Sequence, residues 1–211
     1  MTGKFAKQDK MKLFILFAIG IVMAITVINP IKAFTQTGSR KTDSIFNTFK
    51  SGSFHMKGNM WTNGAVQGTF ETYFKDGNMA SITTAQGMTS RIINKDKKTY
   101  MIMDSEKMVM VTPLQNQPQA GTSTEGFVYL SSGTAEFHGK NLPYEEYSDP
   151  KSGKDSKVQY FFDGNKLAGI RNIAAQMSAD MEILALDQNI PGNVFDIPAG
   201  YQVTDMSAFG R

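Results

Sequence analysis

RIINKDKKTYMIMDSEKMVMVT, residues 91–112, is the stretch on which the fold turns. Two apolar runs, TYMIMD (99–104) and MVMVT (108–112), flank a short turn at Ser105 to Lys107. A third run, TSRIIN (89–94), precedes them across a charged tip, Lys95 to Lys98. Short β-rich runs joined by tight polar turns predict antiparallel hairpins. Successive side chains on a strand point to opposite faces. Tyr100 and Ile102 therefore oppose Met101 and Met103, and Met108 and Met110 oppose Val109 and Val111. Both faces are apolar, whereas a sheet wet on one side alternates more cleanly. Something apolar must cover the second face. The candidates are the short helix, the long loop, a bound ligand or a partner.

The same pattern extends outward. FHMKGNMW (54–61) alternates, with Phe54, Met56 and Met60 on one side and His55, Lys57 and Asn59 on the other. VQGTFETYF (66–74) runs into Asp76-Gly77, NMASITT (78–84) returns, and Ala85 to Gly87 turns again. Later come PYEEYS (143–148), a polar turn DPKSGKDS (149–156), KVQYFF (157–162), Asp163-Gly164, and a long hairpin of KLAGIRNIAAQ (166–176) and MEILALD (181–187). FVYL (127–130) opens a strand or a helical turn, and VFDIPAGYQV (194–203) reads as an edge segment stiffened by Pro198. Upstream, Thr42 or Asp43 can cap a short helix with Ile45, Phe46 and Phe49 as its apolar side, ending at Ser51 to Ser53. Turn spacing predicts roughly nine to eleven strands. The fold class expected is mainly β, a curved antiparallel meander over a short helix. YFKDGN (73–78) is echoed by YFFDGN (160–165), through duplication or through convergence on a favoured turn.

Residues 13–28, LFILFAIGIVMAITVI, follow Lys4, Lys7, Lys10 and Lys12. A basic start before an apolar run is what export machinery reads. Residues 1–33 are expected to be a cleaved signal peptide or a retained membrane anchor, 34–42 a linker, and 43–211 the β domain, outside the cytoplasm. The chain has 22 Lys and Arg against 19 Asp and Glu, a net charge of +3. Residues 1–33 hold five lysines against Asp9, or +4, so the remainder is 3 − 4 = −1. The basic charge thus belongs to the targeting segment and does not point to nucleic acid. Without cysteine there is no disulfide framework, thiolate nucleophile or lipid-modified cysteine.

Motifs that carry chemistry are scarce. No GxSxG elbow, phosphate-binding glycine loop or HExxH occurs. His55 and His138 have no ligand or carboxylate nearby in sequence and are expected to face solvent. Glu145 and Glu146 are adjacent, so on a strand they point apart and cannot work as an acid/base pair. Asp149 to Asp155 lacks the ligand spacing of a calcium loop. Lys95, Lys97 and Lys98 suit a solvated tip, with anionic head groups as the alternative. Trp61 belongs to core or rim. Leu114 to Gly126 is a long polar loop, either a functional rim or a tolerated insertion. Met56, Met60, Phe70, Phe74, Met101, Met103, Met108 and Met110 form a plain core or line a pocket for acyl chains. The 14 methionines keep the pocket in play, since flexible thioethers adapt to chains of different shape.

Residues 91–112 resemble the lipoprotein-carrier superfamily, the LolA/LolB type and their exported relatives. VQYFFDGNKLAGI (158–170) is similar to that group's late hairpin, and VFDIPAGYQV (194–203) to its closing FxIPxGY segment. With the helix at 43–49, the resemblance spans most of residues 43–203. It implies an unclosed half-barrel whose concave side is plugged by helices and, in several members, holds lipid or lipoprotein acyl chains. This chain departs in its candidate anchor, its lack of a lipid-attachment cysteine and its few plug helices. The function expected is non-enzymatic binding of a lipid or acyl chain at the cell envelope, with no cofactor, no metal and no nucleic acid. Residues 13–28 would contact the membrane. The alternative is a structural or interaction module that binds another envelope protein through its loops. A hydrolase using either histidine is the weakest reading.

Overall fold

The computed structural model describes residues 40–62, 64–114, 128–148, 156–174 and 177–206. An α-helix, α1 (Lys41–Lys50), leads into β1 (Ser53–Thr62), β2 (Ala65–Lys75), β3 (Asn78–Ala85), β4 (Met88–Lys95), β5 (Lys98–Met103) and β6 (Met108–Pro113). Then follow β7 (Val128–Phe137), β8 (Lys140–Ser148), β9 (Lys157–Asp163), β10 (Lys166–Ala174), β11 (Met177–Asp187) and β12 (Gln202–Asp205). Among the described residues, twelve strands form one sheet in the order β12-β6-β5-β4-β3-β2-β1-β11-β10-β9-β8-β7. Two antiparallel meanders, β1–β6 and β7–β11, thus meet where β1 pairs with β11. The edges are β12 and β7, so the sheet is open.

Turn chemistry sets this register. Asp76-Gly77 and Gln86-Gly87 both take positive φ at each centre, the pattern of type I′ hairpin turns, whose twist matches the strands they join. The echoed sequence YFFDGN does not repeat the first turn. In β2–β3, Lys75 pairs with Asn78 around Asp76-Gly77, whereas in β9–β10, Asp163 pairs with Lys166 around Gly164-Asn165. The second loop is shifted by one residue, which favours convergence over duplication.

The helix begins at Lys41, earlier than the expected cap. Arg40 is its N-cap residue, and the Arg40 backbone N–H donates to Asp43 Oδ2 at 3.0 Å. Thr42, Ile45, Phe46 and Phe49 form its buried stripe. Phe49 packs on Phe54, and Phe46 meets Tyr147 and Tyr160 edge to face. This inner face gathers Phe54, Met56, Phe70, Phe74, Met79 and Ile92 from one meander with Tyr160, Phe162, Ile170 and Met181 from the other.

The opposite, outer face is covered by the chain's own end. Ile190, Val194, Phe195, Ile197 and Tyr201 pack across Tyr73, Ala80, Ile93, Ile102, Val109 and Val111. Lys95 Nζ donates to the Phe195 carbonyl at 3.4 Å, so one lysine of the charged tip is structural. β12 then pairs parallel with β6. The expected edge segment is therefore both an edge strand and the missing cover.

Twelve strands exceed the nine to eleven expected. β7 is hard to see in the sequence because VYLSSGTAEF is a largely exposed edge strand with weak alternation, and its return turn, His138-Gly139, lacks a familiar dipeptide. Residues 1–39, the Leu114–Gly126 loop beyond Leu114 and the 149–155 turn lie outside the described residues.

Gly58 sits at the seam of the two meanders, where a Cβ would meet the Glu182 carbonyl oxygen at 1.8 Å. Gly58→Ala must therefore push β1 away from β11. Urea denaturation of this variant is expected to show a loss of more than about 3 kcal/mol, or no folded protein at all.

Candidate functional site

The eight residues singled out from the sequence share the inner face. Phe54 pairs with Phe74, Met56 with Thr72, and Phe70 with Gly58, which places them on the side that α1 covers. Ile92 pairs with Met101, Met101 with Met110, and Met103 with Met108. Met56, Met60, Phe70, Phe74 and Met101 belong to, or pack against, the helix-side cluster. Met103 is buried and Met108 and Met110 are half-buried on the same side. Met79 and Met181, absent from the sequence-derived set, join them. Met79 follows directly from the alternation of NMASITT. Met181 is harder to place, because the apolar run MEILALD suggests a strand start there, whereas β11 starts at Met177.

The two faces differ in kind. Met56, Met60, Met79, Met101, Met103, Met108, Met110 and Met181 all lie on the inner face. The outer cluster is built of Ile93, Ile102, Val109 and Val111 with aromatics. β-branched side chains are stiff and define one packing, while methionine has flexible torsions and a polarizable sulfur. The inner cluster thus mixes methionine with Ile, Val and aromatic side chains, whereas the outer cluster holds no methionine.

The helix closing the inner face is held at its start by a carboxylate. Glu145 accepts from the Lys41 N–H at 3.0 Å and from the Thr42 N–H at 3.2 Å. The Thr42 hydroxyl donates to Glu145 Oε2 at 2.6 Å and accepts from the Tyr147 hydroxyl, also 2.6 Å away. An anion at a helix N-terminus satisfies orphan N–H groups and complements the helix dipole. Burial, with the charge of Glu145 adding to it, pushes the Tyr147 hydroxyl up to about 12, so it remains a neutral donor. Glu146 points to the other face, where Lys157 and Gln159 bind it at 3.2 and 2.8 Å. The two carboxylates are separated by the sheet, as the strand geometry requires.

Neither histidine faces solvent, contrary to the sequence expectation. His55 is 8% exposed, with Nδ1 3.1 Å from Asp187 and Nε2 3.0 Å from Glu71, and its ring stacks on Tyr73. Its partners come from β11 and β2, strands whose adjacency to β1 no local spacing reveals. Both ring nitrogens are engaged on opposite sides, so the trio braces three strands and does not converge on a common point. His138 stacks on Trp61 at 4.0 Å, with Nε2 3.2 Å from Asp180 but off the line of a hydrogen bond. Asp180 is already held by a two-point pair from Arg171, both at 2.9 Å. Among the described residues, no group of three metal-ligand side chains is arranged to hold an ion, and no helix is long and apolar enough to cross a membrane.

No protein-family model matches the chain, and no curated protein sequence does. Solved structures are similar in fold. An uncharacterized conserved protein from Thermus thermophilus aligns at 8% identity and a TM-score of 0.49, over 79% of this chain and 99% of that one. A LolA superfamily protein from Nitrosomonas europaea aligns at 11% and 0.43, over 75% and 99%. The Mycobacterium tuberculosis lipoprotein LppX aligns at 9% and 0.44, over 72% and 95%. At these identities and TM-scores the likeness is one of fold alone.

Glu145→Ala should loosen α1 from β8. The expected cost is about 1–3 kcal/mol in urea denaturation, because two helix N–H groups and the Thr42 hydroxyl lose their acceptor. Glu145→Gln should recover part of it.

Acid should weaken the His55 brace. Burial alone would raise the Glu71 carboxyl, but bonds from Tyr73 and His55 and the charge of Lys57 outweigh it and hold the group below its usual 4.5. A lowered carboxyl contributes stability that is fully present above the unfolded value and is lost as pH falls through the folded one. The urea midpoint should therefore drop on acidification below pH 4.5, and Glu71→Gln should make that drop shallower.

Proposed function

We propose that this is an extracytoplasmic, non-enzymatic binding protein for an apolar ligand, a lipid or the acyl part of a lipoprotein, held on the methionine-lined inner face. The observation that carries this reading is the segregation of methionine. A core built only for stability is best filled with residues of defined rotamer, and methionine specifies packing poorly. Here methionine is gathered in the inner cluster, among Ile, Val and aromatic side chains, and is absent from the outer one. The quartet Met101, Met103, Met108 and Met110 lies beside the β12 edge and includes the half-buried Met108 and Met110. A surface of this kind accommodates alkyl chains of different length and bend. The basic, apolar N-terminal segment supports a site of action at the membrane, as anchor or as cleaved signal.

A second reading has one observation in its favour. Val128 and Leu130 are exposed on the edge strand β7, and an unpaired apolar edge invites another chain. On that reading the protein is an interaction module of the envelope.

Purification of the full chain from its own membrane, followed by native mass spectrometry, separates the two. The expected result is a bound lipid whose chain length varies among molecules. Consistently lipid-free protein would overturn the first reading, and a stoichiometric protein partner on that lipid-free form would establish the second.

A further inference from the structure

β10 and β11 are partners for only part of their length. Their pairing runs from Ala174–Met177 to Gly169–Glu182 and stops. Beyond that point β10 continues to Lys166 beside β9, and β11 continues to Asp187 beside β1. The strands part, and each carries a bulge at the parting. Ala168 has no partner between the Leu167 and Gly169 pairs, and Leu184 has none between Ala185 and Ile183. Bulges bend a strand and increase its twist, which is what separates the two here. Gly169 marks the apex, because a Cβ there would overlap the Phe137 ring at 2.2 Å.

A cavity of about 610 Å³ occupies the gap. Its walls come from both sides of the sheet. Ile45, Leu167, Ile183 and Leu186 belong to the inner cluster or pack against it. Phe137, Leu142 and Ala168 belong to the small outer cluster. The gap is therefore lined from both faces of the sheet, by apolar side chains of each cluster together with polar and charged ones. Leu184 lines it while 60% exposed. The volume lies within the range of pockets for small ligands.

The polar groups around the gap are unequal. Glu182 is taken by Asn59, and Asp187 by His55 and the Asn189 N–H. The side chains of Lys140, Lys166 and Asp163 line it, are exposed, and make no ion pair or hydrogen bond among the described residues. Lys140, Lys166 and Asp163 thus keep free charged side chains there, while Glu182 and Asp187 keep their negative charge behind hydrogen bonds.

We propose that this slot is the portal by which an acyl chain with an anionic head, carboxylate or phosphate, reaches the inner face, the head resting on Lys140 and Lys166. The proposal rests on the reading of the inner face given above. The chain slides between Ala168 and Leu184 toward Ile45 and Ile183. The head remains at the rim, where its charge stays hydrated.

The test uses the full chain held in amphipol and a dansyl-tagged undecanoic acid, whose emission reports entry into an apolar site, with the matching alcohol as a neutral control. Stopped-flow uptake should slow about tenfold or more in both Ala168→Phe, which fills the slot, and Leu184→Glu, which sets a like charge at an exposed position that folding tolerates. The double variant Lys140→Gln/Lys166→Gln should weaken the acid about tenfold, the scale of one charge-assisted hydrogen bond, and leave the alcohol unchanged. Met101→Asp/Met110→Asp should abolish the bound signal. Wild-type uptake rates in both slot variants, with binding still lost in the methionine variant, would overturn the portal and leave the inner-face reading standing. Equal weakening of acid and alcohol in the lysine variant would overturn the head-group assignment. No uptake by the wild-type chain would overturn both readings. Displacement of the probe by free oleate or by phosphatidylglycerol supports the proposal and identifies the head as carboxylate or phosphate. Displacement by neither overturns it.

Discussion

Everything in this molecule hangs on the antiparallel seam between β1 and β11. Each half is a meander that local turns can build, but neither buries a face by itself. The seam joins residues far apart in the chain, His55 opposite Asp187 and Met60 opposite Met181. It brings both halves under α1. Gly58 lets the two backbones close, and the carbonyl of Glu182 occupies the space a side chain would need. Because such contacts are non-local, the entropy of closing the chain must be met before they form.

The joined sheet is covered differently on its two sides. The outer face is sealed by the chain's own residues 190–201 over a layer of Ile and Val. Tyr201 fixes that cover by donating to Asp104 at 2.9 Å. The inner face is closed by ten residues of helix over a methionine-rich layer. The outer cluster holds no methionine, while the inner one sets methionine among Ile, Val and aromatic side chains. The carboxylates serve this arrangement as clamps. Glu145 holds the helix, Glu71 and Asp187 brace His55, and Asp180 is gripped by Arg171.

Much of the fold was legible from the residues alone. Alternation in TYMIMD and MVMVT placed each side chain on its proper face, and turns at Asp76-Gly77 and Ala85 to Gly87 set the hairpins. Two apolar faces implied a cover. Period-2 patterning and turn chemistry are local, so the chain states them within a few residues. The methionine face was legible for the same reason, since the pleat assigns faces residue by residue.

What the sequence could not state is which distant strands become neighbours. β1 beside β11 decides that His55 is buried between two carboxylates, and it puts Met181 among the residues of the inner face. The path of residues 190–201 decides that the second face is closed by the chain itself. The parting of β10 from β11 opens a gap that no motif marks, because it depends on two bulges in strands that pair with different partners. Turns and faces follow from neighbours along the chain. Seams, covers and openings follow from how whole strands bend and meet, and only the folded sheet settles that.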